Sequence, residues 1–67
     1  MAKVYFEVNR ARAKALYLAG VNLYLNGSTE EAIRKWKQCL EEDPRNAAAR
    51  SDLKKALAKL RAISKLR

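Results

Sequence analysis

Cys39 is the only thiol in the chain, and there is no histidine to accompany it. A cysteine becomes a nucleophile when a neighbouring base or cation draws it toward thiolate, and imidazole is the usual base. One sulfur and no imidazole also fall short of the four nitrogen or sulfur ligands that a structural zinc takes. The seven acidic residues show no pairing that would place an acid and a base in one cleft. Gly20 and Gly27 are the only glycines, too few and too far apart for a loop that cradles phosphate. No catalysis, cofactor or metal is expected. The chemistry left to this sequence is non-covalent.

Its charged groups come next. The chain carries +8, with 15 basic and 7 acidic residues. Residues 1–25 carry +3, residues 26–43 carry −2 and residues 44–67 carry +7. Any affinity for an anion therefore belongs to the last third, where Arg50, Lys54, Lys55, Lys59, Arg61 and Lys65 are the candidate contacts. No aromatic residue is interleaved with them, so bases have nothing to stack on. The preferred reading is a solvated basic face that keeps a small helical chain soluble. Nucleic acid or an anionic membrane surface is the alternative partner, and it is not favoured.

The elements that must position these groups are helical. Ala, Leu, Lys, Arg and Glu dominate, against two glycines and one proline in 67 residues. The most apolar stretch, Ala15 to Leu25, is 11 residues long and too short to span a membrane. No signal-peptide pattern follows Met1-Ala2-Lys3, and with one unpaired cysteine the cytoplasm is weakly preferred. Of the apolar residues, 12 are alanine, so large core side chains are scarce. Domains this small bury too little surface to be comfortable alone, and neither disulfide nor metal is at hand. Association is the remaining route to stability.

Two short breaks divide the chain into three helices, from about Lys3 to Leu25, from Thr29 to about Glu42, and from about Asn46 to Lys65. Gly27 suits the left-handed conformation that closes a helix. Ser28 and Glu31 have the spacing of a capping box. Asp43-Pro44 forms the second break, with Asp43 or Asn46 as the cap of the third helix. So short a first break folds helices one and two back as an antiparallel hairpin. The first helix has no clean polar face toward its end. Along it, Val4, Val8, Ala11, Ala15, Leu18, Asn22 and Leu25 follow 4-3-4-3 spacing. These residues are expected to pack on neighbouring helices of the same fold; a coiled-coil seam with Asn22 setting its register is the alternative.

The hairpin has landmarks at fixed distances: Leu16, Ala19-Gly20 and Leu23-Tyr24, then Asn26-Gly27, Ala32, Trp36 and Pro44. This pattern resembles the tetratricopeptide repeat, a helix–turn–helix unit of 34 residues. The expected fold is all-α: a helical extension at 1–12, one repeat at 13–46, and a capping helix at 47–67. Gly20 and Ala32 would lie where the two helices approach most closely, with Leu16, Leu23 and Trp36 around them. Trp36 is expected to fill the core with its N–H at a rim, and Cys39 to act as a small buried hydrophobe. Leu16, Ala19 and Leu23 depart from the family's tryptophan, leucine and tyrosine. Arg50 and Lys54 stand where the next repeat's aromatic and glycine would be, so no second repeat begins.

The resemblance implies an interaction scaffold whose groove-facing positions are Lys14, Tyr17, Val21, Tyr24 and Leu25. Tyr17 and Val21 stand where carboxylate-clamping members carry lysine and asparagine, so no such clamp is expected. A single repeat cannot enclose its own core. A homo-oligomer is therefore preferred over capture of a peptide or helix from another protein, with helix exchange across Asn26-Gly27 as one route. Val4, Val8, Leu57, Leu60 and Ile63 form a candidate secondary interface.

Overall fold

The computed structural model describes residues 8–65. Its three helices are α1 (Arg10–Leu25), α2 (Thr29–Glu42) and α3 (Ala47–Lys65), and the described residues contain no strand. The fold class is all-α.

The first helix begins later than its apolar spacing predicts. Val8 and Asn9 are not helical, and the Asn9 side chain accepts a hydrogen bond from the Arg12 N–H at 3.0 Å. A short polar side chain that satisfies an orphan donor in this way starts a helix rather than continuing one. The Asn9 N–H turns away to the Glu42 carbonyl at 3.2 Å, tying the start of α1 to the end of α2. Val4 lies outside the described residues.

Gly27 closes α1 with φ +87°. Its N–H reaches the Tyr24 carbonyl, and the Ser28 N–H reaches the Leu23 carbonyl at 2.8 Å. This pair of crossed bonds is a Schellman motif. It also explains why the expected capping box is missing. A capping box needs the Ser28 N–H for Glu31, but that donor is already engaged, and the Ser28 side chain makes no cap bond either. Glu30 and Glu31 still sit in the first turn of α2, where the helix dipole favours negative charge.

The second break resolves the choice of cap. Asn46 Oδ1 accepts from the Ala49 N–H at 2.9 Å and caps α3. Asp43 instead ends α2 and accepts from the Arg45 N–H at 3.1 Å, holding the turn around Pro44.

The core is built from small residues. Ala13, Ala32, Ile33, Trp36, Cys39, Ala49 and Ala56 are buried. Four of the seven belong to α2, which packs on both neighbours, while α1 and α3 meet only sparsely. Alanine allows the helix backbones to come close, and Trp36 and Ile33 supply the buried bulk. Burying roughly 200 Å² of indole at ~25 cal/mol/Å² contributes about 5 kcal/mol. Gly20 makes room for it: a Cβ there would lie 2.7 Å from Trp36 Cδ1 and closer still to Nε1.

Candidate interaction surface

Between α1 and α3 lies a hollow of about 130 Å³, lined by Val21, Tyr24, Leu25, Trp36, Asp52 and Lys55. Trp36 forms its floor at 2% exposure. The rings of Tyr17 and Tyr24 flank the indole, with centroids 6.4 and 5.7 Å away. The Trp36 Nε1–H donates to the Tyr17 main-chain carbonyl at 3.2 Å, inside the hairpin and not at a rim open to water. A buried indole N–H needs such a partner, and the α1 backbone supplies it.

Two polar contacts bridge the hollow. The Tyr17 hydroxyl donates to Asp52 Oδ2 at 2.7 Å, joining α1 to α3. Lys59 Nζ lies 5.0 Å from the centroid of the Tyr24 ring, a cation–π contact. The hydrogen bond to Asp52 holds the Tyr17 phenol above its ordinary pKa, and burial and the Asp52 charge act in the same direction. Cys39 is buried, and desolvation raises its thiol too, with the Asp43 charge adding to the effect. Such a thiol is protonated at neutral pH.

The five groove positions read from the sequence divide. Val21, Tyr24 and Leu25 line the hollow together. Tyr17 is half-buried, with its hydroxyl engaged by Asp52. Lys14 is exposed and shares the Val21–Leu25 side of α1 by helical spacing, outside the hollow's lining. The proposed secondary interface does not form one patch among the described residues. Val8 sits beside the end of α2, whereas Leu60 and Ile63 line a second hollow of about 380 Å³ with Gly27, Glu30, Glu31 and Arg34 at its start. Leu57 is half-buried against the core.

Arg50, Lys54, Lys55, Lys59, Arg61 and Lys65 are all exposed. Helical spacing separates them into two rows, Lys55 and Lys59 beside Asp52, and Arg50, Lys54, Arg61 and Lys65 on the other flank. Lys59 covers Tyr24, and Arg50 Nη2 donates to the Pro44 carbonyl at 2.7 Å. Among the described residues, no group of three His, Cys, Asp or Glu side chains is placed to hold a metal. No described helix is long and apolar enough to cross a membrane.

The stripe Ala11, Ala15, Leu18, Asn22 and Leu25 faces outward. All five residues are exposed, Leu18 at 49% and Leu25 at 76%. The expectation that they pack on helices of the same fold is therefore corrected: α2 covers the Ala13–Gly20 side of α1, and α3 leaves the far side bare. Asp52, the one acid among residues 44–67, supplies a hydrogen-bonded contact between α1 and α3.

Comparison with known proteins finds no matching family model, no significant match among curated proteins and no significant match among solved structures.

Proposed function

We propose that this chain is a protein–protein interaction module of tetratricopeptide type that associates with further copies of itself through α1. Residues 13–46 form the repeat in this reading, with α3 as the helix that follows it. Gly20 beneath Trp36 and the buried Ala32 support the frame, because the pattern calls for small residues where the hairpin is tightest.

One observation carries the self-association: α1 exposes Leu18 and Leu25 on a stretch, Ala15 to Leu25, that contains no charged residue. The last third of the chain, at +7, is heavily cationic, and copies would repel there. On this face they can approach. Exposed apolar side chains grouped on one uncharged side of a helix mark interaction sites.

Sedimentation equilibrium from micromolar to near-millimolar protein tests the reading. The average mass should rise with concentration above that of one 7.6 kDa chain. Leu25→Glu should weaken association about a hundredfold, since a symmetric pair loses two leucine burials of roughly 1.5 kcal/mol each. Lys54→Glu, on the opposite flank, should leave the mass profile unchanged. A monomer throughout the range would overturn the proposal.

A further inference from the structure

Self-association through α1 leaves open how two copies of the helix meet. We infer that they meet antiparallel and two-fold symmetric, with Ala15 on the partner's Leu18 and Ala11 on the partner's Asn22. The inference rests on the self-association reading and adds its geometry.

The exposed stripe has 4-3-4-3 spacing, which keeps one seam facing a partner helix. Along it the sizes alternate: Ala11 and Ala15 are small, while Leu18 and Leu25 are large. Running the helices in opposite directions sets small against large in the central layers. Running them in the same direction sets Leu18 on Leu18 and Ala15 on Ala15, alternately crowding and opening the seam. Close packing disfavours that arrangement.

Charge points the same way. Arg10, Arg12 and Lys14 crowd the first turns of α1, and its last turn holds no basic residue. Arg12 is paired with Glu42 of its own chain at 3.5 Å, so parallel helices would bring Arg10 and Lys14 of both copies, four cations, together at one end. Antiparallel helices set Lys14 beside the partner's uncharged Val21 and keep the two basic ends apart. An isologous contact of this kind closes on itself and leaves α3 free.

Disulfide trapping tests the geometry in a Cys39→Ala background, with helix content checked by circular dichroism. Ala11→Cys and Asn22→Cys chains are oxidised separately and as a mixture. The mixture should yield a cross-linked dimer while each variant alone yields little, because its two sulfurs would sit about 16 Å apart along the axis. If each variant links to itself and the mixture gains nothing, the parallel arrangement holds and the inference is overturned. A dimeric mass by sedimentation with no cross-link in any sample overturns it too, while self-association through another face survives. A monomeric mass removes both.

Discussion

At the scale of single residues, the fold depends on one pairing of the smallest side chain with the largest. Replacing Gly20 by alanine adds about 1 kcal/mol of helix propensity, yet the new methyl would overlap the Trp36 indole, and overpacking of this kind costs about 1–3 kcal/mol. The indole cannot swing aside without breaking its bond to the Tyr17 carbonyl. Gly20→Ala should therefore lower stability in urea denaturation, and Trp36→Phe should relieve much of that loss in the double variant. Tyr17 makes a second prediction. Its phenol is held above the ordinary value of 10.0, chiefly by the bond to Asp52. A raised phenol contributes stability that is complete below the unfolded value and is lost as pH climbs through the folded one. Stability should thus fall more steeply above pH 10 in the native chain than in Tyr17→Phe, as read by denaturation at stepped alkaline pH. The buried Cys39 thiol, raised as well, should react with alkylating reagents at pH 8 far more slowly than a free thiol until the chain unfolds.

At the scale of helices, the caps separate two residues that look alike in the sequence. Asn46 supplies a side-chain oxygen to α3, and Asn46→Ala should cost about 1 kcal/mol. Ser28 precedes α2 in the same way but caps nothing with its side chain, so Ser28→Ala should change stability by less than about 0.5 kcal/mol. Thermal melts of the two variants check the contrast. The helix positions themselves were legible in the residues, because Gly27, Pro44 and the capping side chains punctuate locally. The start of α1 was less so. Apolar spacing runs back through Val8 to Val4, and the Asn9 cap on Arg12 together with the Asn9 contact to Glu42 starts the helix at Arg10. That contact joins residues 33 positions apart, beyond the reach of any periodicity.

At the scale of the whole chain, the same division holds for the surface. The 4-3-4-3 stripe could be read from α1 alone, but whether it faced inward or outward depended on where α3 would lie. α3 packs on α2 and reaches α1 chiefly through Tyr17–Asp52 and Tyr24–Lys59. Side-chain partners across 35 positions leave no periodic trace, so Tyr17 read as groove surface although its hydroxyl is an internal fastening. The arithmetic of charge behaved similarly. A total of +8 suggested an anionic partner, whereas the placement of the cations along two flanks of α3 leaves an uncharged face on α1.

Trp36 has one more consequence. It is the sole tryptophan, 2% exposed, and flanked by two tyrosine rings within 6.4 Å. The chain thus carries its own fluorophore at the centre of the hairpin, dry when folded and wet when not. Its emission should be blue-shifted in the native state and shift to the red as the helices separate. Energy transfer from Tyr17 and Tyr24 should reach it more efficiently while the hairpin is closed than after it opens. Opening of the fold can therefore be followed optically, without a label and at one known position.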